Sequence, residues 1–302
     1  MPSSASASAS ASASSSSVRE RKFILPESSA KAQISDSRSN LAVIVTHPWG
    51  PLGGNMNNNV VLAIVVWFQR MKITTLRFDF SGSQLGRGDS QVSQVKEAAN
   101  FLLHGQHQNN NTRTSSTSKQ QKQRVSSSST TTTATTEEDN SRRHVPKFIL
   151  LVGYSYGSII SSSASNSIPQ CIGTIMVSPP LAVRHWLYLF HGNYHLEQAR
   201  NSGLPLLMMI GSKDNFTSED SFMETVHTMP QNTTTGAVLK DADHFFRNRE
   251  KDIMDIIGHW ILNVFPQQCN GDLSLLADAD FQVSTGTVEE ESYTGCPCTS
   301  VD

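Results

Sequence analysis

The chain has 302 residues, 37% of them hydrophobic, and a formal net charge of −2 at pH 7. This charge balance, and the lack of a basic stripe with interleaved aromatic residues, argue against a nucleic-acid-binding protein. The longest apolar run, residues 60–68, is far shorter than the roughly 20 residues that cross a bilayer, so the sequence predicts no membrane span.

The N-terminal segment, one internal tract and the C-terminal segment are poor in large apolar residues. Residues 1–17 are almost entirely Ser and Ala, and residues 105–143 are mainly Asn, Gln, Ser, Thr and Arg. Such tracts cannot bury enough apolar surface to offset their conformational entropy. We therefore predict a disordered N-terminus over residues 1–20, one domain over 21–267 with a disordered insertion at 105–145, and a flexible tail over 268–302. These low-complexity segments could also bind protein partners.

The N-terminus lacks the apolar core of a secretory signal, which favours a cytoplasmic protein over a secreted one. Its Ser-rich start followed by basic residues leaves organelle targeting open. The sequons at Asn215 and Asn232 are then expected to carry no glycan. The four cysteines have no metal-binding spacing, so the sequence predicts no disulfide framework, no metal and no cofactor, and the roles of Cys296 and Cys298 are left open.

Along the chain, apolar strands alternate with amphipathic helices. Strands are predicted at residues 23–25, 32–34, 41–46, 75–80, 148–152, 172–177, 206–210 and 237–239, and helices at residues 57–71, 90–103, 158–167, 218–229 and 250–265. This alternation is typical of parallel βα units, and it predicts an α/β fold with a mostly parallel sheet and helices on both faces. The insertion precedes the strand at 148–152, so it enters at the sheet edge opposite to the one where sites form.

Residues 179–202 lie between two predicted strands at the carboxyl edge of the sheet and are rich in aromatic side chains. We predict that they form a short cap over a site, with Trp186, Tyr188 and Phe190 as substrate-binding residues. The alternative is that these aromatic residues simply pack on the domain.

The strand at 148–152 runs directly into Gly153-Tyr154-Ser155-Tyr156-Gly157, a G-x-S-x-G pattern. In the sharp strand-to-helix turn that this pattern forms, a side chain two positions either side of the serine would collide with its neighbours. The turn exposes the Ser155 hydroxyl at a helix N-terminus, where backbone N–H groups stabilise an anion. The pattern therefore predicts a nucleophilic serine.

A serine hydroxyl needs a base to remove its proton and an acid to orient that base. In this architecture the acid and then the histidine follow later strands. Asp214 follows the strand at 206–210, and of the ten histidines only His244 follows the last predicted strand. Asp241 and Asp243 are alternative acids, although both lie too near His244 in sequence to orient its ring easily.

The reaction that such residues catalyse also needs donors for an oxyanion. The backbone N–H of Tyr156, which follows the nucleophile, is one candidate. The loop after the strand at 41–46 supplies the other, and since Pro48 has no N–H, Trp49 is the first choice and Gly50 the second. His47 opens this loop and is expected to shape it.

Together, the segments at 46–54, 78–82, 153–157, 211–218 and 243–246 resemble the α/β-hydrolase superfamily, and within it soluble, poorly characterised hydrolases of plants, microbial eukaryotes and bacteria. The resemblance implies the α/β-hydrolase fold, with the family's triad carried by Ser155, Asp214 and His244.

The activity expected is that of a serine hydrolase which cleaves a carboxylic ester, thioester or amide through an acyl-enzyme. An acyltransferase that uses the same triad, and a catalytically silent interaction module of the same fold, are the alternatives.

Overall fold

The structure is a computed structural model that describes residues 19–84, 86–105, 144–181 and 191–282, together with the backbone of residues 299–301. The disorder predicted for most of the N-terminus and insertion, and for the end of the tail, therefore falls outside the described residues. None of the helices in the described part of the chain combines the length and the hydropathy that a bilayer span requires.

Within these ranges nine strands form one sheet. They are β1 (Arg21–Ile24), β2 (Lys31–Ser35), β3 (Leu41–Thr46), β4 (Thr74–Phe78), β5 (Phe148–Tyr154), β6 (Cys171–Val177), β7 (Leu206–Gly211), β8 (Thr234–Leu239) and β9 (Thr299–Val301). Their order across the sheet is β1-β2-β4-β3-β5-β6-β7-β8-β9. Only the pairs β1–β2 and β2–β4 are antiparallel. The mostly parallel sheet predicted from the alternation of strands and helices is confirmed.

The helices of the described ranges cover both faces of this sheet. They are α1 (Asn59–Arg70), α2 (Asp89–His104), α3 (Tyr156–Ala164), α4 (Gly192–Arg200), α5 (Glu219–Thr228), α6 (Glu250–Val264) and the short α7 (Pro266–Cys269). Successive strand residues point to opposite faces. In β3, Leu41, Val43 and Val45 join an apolar cluster that includes α1 and α6, whereas Ala42 and Ile44 join one that includes α2 and α3. Burial on both faces explains why the central strands are continuous apolar runs.

The segment after residue 267 corrects the predicted boundary of the flexible tail. Residues 266–269 form α7 and residues 273–277 a 3-10 turn, and Phe281 packs its ring 5.1 Å from Phe148 and 5.2 Å from Phe265. Leu276 and Phe281 are buried in the α1 and α6 cluster. The segment is polar on average, but its few apolar residues cover one side of the core, so composition alone placed the boundary about 15 residues too early.

The ends of the insertion lie at the edge of the sheet where the parallel strands begin. Gly105 and His144 line one small crevice with Thr74, the first residue of β4. Ser155 lies at the opposite end of β5. The insertion therefore enters at the edge of the sheet where the parallel strands begin, opposite to the edge that carries the G-x-S-x-G turn, as its sequence position predicts.

The predicted cap is described only in part. Residues 182–190, with Trp186, Tyr188 and Phe190, lie outside the described residues. The rest of the segment forms α4, which packs against the end of α3: Asn166 donates its side-chain amide to the Gln198 carbonyl at 2.8 Å. This half of the segment belongs to the helical layer of the domain, and the choice between a cap and simple packing of the aromatic residues stays a prediction.

Candidate active site

Ser155 occupies a sharp turn between β5 and α3. Its backbone has φ 54° and ψ −124°, a conformation that non-glycine residues adopt rarely and that is concentrated at functional sites. A Cβ on Gly153 would lie 2.3 Å from the Ser158 Cα, and one on Gly157 would lie 2.5 Å from the His47 carbonyl oxygen. Both positions thus require glycine because backbone, rather than a movable side chain, occupies the space.

Hydrogen bonds link Ser155 to His244 and His244 to Asp214. His244 Nε2 lies 3.1 Å from Ser155 Oγ, and His244 Nδ1 lies 2.8 Å from Asp214 Oδ2. The other carboxylate oxygen of Asp214 accepts the backbone N–H groups of Phe216 at 2.8 Å and Thr217 at 3.2 Å. These bonds hold the buried carboxylate so that it faces the imidazole.

The alternative acids have other partners. Asp241 is exposed and pairs with Lys213 at 2.7 Å, an interaction that lowers its pKa. Asp243 accepts the backbone N–H groups of Phe245 and Phe246, both at 3.0 Å. The structure therefore brings only Asp214, of the three candidates, to the imidazole of His244.

Aromatic rings surround His244. Its ring centroid lies 4.4 Å from that of Phe216, and 5.6 Å from those of Tyr154 and Phe245. Tyr154 also donates its hydroxyl to the backbone carbonyl of His244 at 2.9 Å. Burial raises the pKa of Tyr154, so this hydroxyl keeps its proton and remains a donor.

The loop after β3 runs beside the G-x-S-x-G turn because Thr46 pairs with Gly153 in the sheet. Phe80 donates its backbone N–H to His47 Nε2 at 2.9 Å, so the ring proton of His47 is on Nδ1, which donates to the Pro48 carbonyl at 2.5 Å. Burial lowers the pKa of His47, in keeping with a neutral ring. His47 thus joins this loop to the segment after β4, as the shaping role predicts.

The two candidate donors of this loop differ in their surroundings. Gly50 donates its N–H to the Gln84 side chain at 2.7 Å, and the Trp49 indole N–H donates to the Gln84 carbonyl at 3.1 Å. Trp49, Ser155 and Tyr156 line the same cavity. The Gly50 N–H is therefore bonded to Gln84, a residue that the sequence pattern does not single out. Trp49 remains the candidate oxyanion donor beside Ser155.

This cavity has a volume of about 320 Å³ and opens at the carboxyl edge of the sheet. Apolar side chains form most of its wall, including Leu52, Ile159, Ile160, Phe216 and Phe245. Phe216 lies two residues after Asp214 and Phe245 directly after His244, and these positions could have identified them. In the described part of the chain, no three His, Cys, Asp or Glu side chains come together as metal ligands.

His195 is a further wall residue that sequence reasoning did not single out. It is buried, its Nε2 donates to the Arg87 carbonyl at 2.6 Å, and its Nδ1 lies 2.8 Å from the Ser163 hydroxyl. Burial lowers the pKa of His195. It belongs to α4 and connects that helix to α3 and to the loop before α2.

The sheet, the flanking helices and the sharp turn at Ser155 define a protein of the α/β-hydrolase superfamily. Residues 95–259, more than half of the chain, match the model of the dienelactone hydrolase family, and the chain belongs to this family.

Individual relatives are distant in sequence. An uncharacterised protein of Rickettsia prowazekii is 22% identical over 247 residues, which cover 79% of this chain and 87% of that protein. An α/β serine hydrolase without lid from Xanthomonas campestris has 16% identity and a TM-score of 0.58, covering 82% of this chain and 95% of its own. An esterase of Pyrococcus furiosus has 15% identity and a TM-score of 0.56, and the match covers 82% of this chain and 93% of the esterase. At these identities the structures establish the shared fold.

Proposed function

We propose that the protein hydrolyses carboxylic esters through an acyl-enzyme on Ser155. The observation that carries the proposal is the hydrogen-bonded series Ser155–His244–Asp214, with spacings of 3.1 Å and 2.8 Å, at the wall of an open cavity. Membership of a hydrolase family and the fold shared with an esterase agree with it.

In the first half of the reaction, Ser155 Oγ attacks the ester carbonyl carbon while His244 Nε2 accepts the hydroxyl proton. The carbonyl oxygen becomes an oxyanion, for which the backbone N–H groups of Tyr156 and Trp49 are the proposed donors. Collapse of this intermediate breaks the bond to the alcohol oxygen, which takes the proton from His244. Asp214 stabilises the imidazolium while it exists.

In the second half, water attacks the acyl carbon and His244 accepts a proton from it. The bond to Ser155 Oγ then breaks, the acid leaves, and the serine regains its proton. The cycle requires only groups of this chain, the ester and water.

A fluorophosphonate probe tests the proposal, because the serine oxygen displaces fluoride from phosphorus and remains bound to it. We expect labelling at Ser155, turnover of p-nitrophenyl esters, and loss of both in Ser155→Ala. Ser165→Ala is the matched control, since Ser165 is a buried serine at the far end of α3 that bonds only within its helix turn.

An unlabelled wild-type protein, beside a serine hydrolase that labels in the same tube, would contradict the proposal and favour the silent interaction module. Labelling with faster acyl transfer to an added alcohol than to water would instead favour the acyltransferase.

A further inference from the structure

The described wall of the cavity beside Ser155 is uncharged. None of its lining residues is Lys, Arg, Asp or Glu, among the residues that the structure describes. The exposed Arg247 guanidinium lies 5.3 Å from the centroid of the Phe245 ring and is not one of the lining residues. Leu52, which is 62% exposed, and Phe245, which is 42% exposed, extend the apolar surface to the mouth.

The buried imidazole of His195, in the same wall, supplies no charge either. Both ring nitrogens of His195 are engaged, one by Ser163 and one by the Arg87 carbonyl. Since burial lowers the pKa of His195, the ring is neutral at neutral pH. A charged group of a substrate would therefore lose its water in this cavity and find no opposite charge on the described part of its wall.

We infer that the substrates are esters whose portion within the cavity is uncharged and apolar, and that anionic acyl groups are excluded. This rests on the proposed function. Removing an unpaired charge from water is costly enough to reduce kcat/KM on the order of 10²-fold or more.

The test compares mono-p-nitrophenyl adipate with the ester in which an isopropyl group replaces its terminal carboxylate. The two have the same alcohol and the same acyl shape, so only charge differs, and Ser155→Ala supplies the background rate for each. We expect the neutral ester to be preferred by about 10²-fold or more in kcat/KM.

A charge added at the mouth should reduce this preference. Leu52→Lys places an ammonium where the side chain is exposed, and we expect the adipate ester to improve by up to about fivefold. Ile24→Lys is the matched control because Ile24 is 54% exposed on the edge strand β1, outside the cavity. Equal turnover of both esters by a protein that labels at Ser155 overturns this inference alone, whereas failure to label overturns the proposed function.

A second inference comes from the hydroxyl of Tyr154, which belongs to the residue before the nucleophile. This hydroxyl donates to the His244 carbonyl at 2.9 Å, and Tyr154 is only 2% exposed. The residue preceding Ser155 thus holds the backbone of the residue that carries the imidazole, across 90 positions of sequence. Asn59 adds a bond at 3.0 Å to the next carbonyl, that of Phe245, from a more exposed position.

We propose that Tyr154 is a positioning residue that keeps His244 Nε2 within reach of Ser155 Oγ. It acts through its hydrogen bond to the backbone carbonyl of His244. A small displacement of a catalytic group is sufficient to reduce the chemical step without changing how substrate binds.

Tyr154→Phe removes the hydroxyl and keeps the ring. We expect kcat to fall about tenfold with KM unchanged, together with a shift of the downfield proton resonance of the His244–Asp214 hydrogen bond. Ser39→Ala is the control for loss of a buried hydroxyl, because Ser39 donates to the Leu41 carbonyl at 2.6 Å and accepts the Thr74 backbone N–H at 2.7 Å, at the opposite edge of the sheet from the site.

Ser39→Ala should lose at least as much thermal stability as Tyr154→Phe because its hydroxyl makes more hydrogen bonds, and only Tyr154→Phe should lose kcat and change the resonance. A Tyr154→Phe protein with wild-type kcat and an unshifted resonance overturns the positioning role. Since wild-type labelling at Ser155 is measured in parallel, that result is distinguishable from failure of the proposed function.

Discussion

Gly157→Ala tests how tightly the nucleophile turn is packed against the loop that carries Trp49. A Cβ at this position would lie 2.5 Å from the His47 carbonyl oxygen, 2.8 Å from Thr46 Oγ1 and 2.9 Å from the Thr46 carbonyl carbon. Two of these atoms are backbone, so the end of β3 or the start of α3 must move. Thr46 Oγ1 also donates to the Gly157 carbonyl at 2.9 Å, and the same movement strains that bond.

Overpacking of a well-packed interior costs about 1–3 kcal/mol, and backbone contacts place this substitution at the upper end of that range. For a domain of this size, about 2–3 kcal/mol corresponds to a fall in Tm of about 4–12 °C. Because the displaced residues lead directly to Trp49, kcat/KM should also fall by on the order of 10²-fold, as when one oxyanion donor is lost.

The assay is thermal unfolding together with p-nitrophenyl ester kinetics and fluorophosphonate labelling. Gly258→Ala is the matched control: it makes the same substitution inside α6, where the added Cβ meets side-chain atoms of Leu273 at 3.2 Å and Trp67 at 3.4 Å. Alanine is favoured over glycine within a helix by about 1 kcal/mol, which offsets that crowding. If Gly157→Ala matches Gly258→Ala in both Tm and kcat/KM, the steric argument is wrong.

Three further predictions concern the acid, the buried histidines and the C-terminal segment. Asp214→Asn should lower kcat by on the order of 10⁴-fold with little change in Tm, because an amide orients the wrong tautomer of the imidazole, and a smaller loss would point to another acid. Burial lowers the pKa of His47 and His195 below the value of 6.5 that they have when unfolded, so the unfolded chain binds more protons as pH falls below about 6.5. Their contribution to stability is therefore complete above that pH and declines below it, and a Tm that rises on mild acidification would contradict this sign. Phe281→Ala should cost about 3 kcal/mol in unfolding by denaturant, whereas Leu275→Ala, at a side chain that is 47% exposed, should cost under about 1 kcal/mol. Equal losses would show that the segment does not pack as described.

The helices and strands of the domain were largely predictable because each is a local pattern. The apolar run at 148–152 predicts a strand, and the glycines on either side of Ser155 predict the turn that follows it. Each of these patterns is complete within a few residues. Asp214 and His244 were predictable for a related reason: parallel strands deliver their following loops to one edge of the sheet. The order of strands then determines which loops meet.

Contacts between distant segments were not predictable from local patterns. The Gln84 side chain accepts the N–H of Gly50, 34 positions away in sequence. No sequence motif indicates this hydrogen bond to the second candidate for the oxyanion donor. The segment around Phe281 was predicted as tail because its average composition is polar, although the Phe281 ring packs against Phe148 and Phe265 and Leu276 is buried in the same cluster.

The sequence by itself determined that a serine turn stands at the end of a buried strand, since the G-x-S-x-G pattern lies within five adjacent residues and Gly153 satisfies a steric requirement set by Gly157 and Ser158. Only the tertiary structure decided what surrounds that serine. The neutral, apolar wall of the cavity and the bond from Tyr154 to the His244 carbonyl join residues from several elements, and their positions depend on how those elements pack. Local sterics are encoded by adjacent residues, whereas the environment of a site is a property of the whole packed chain.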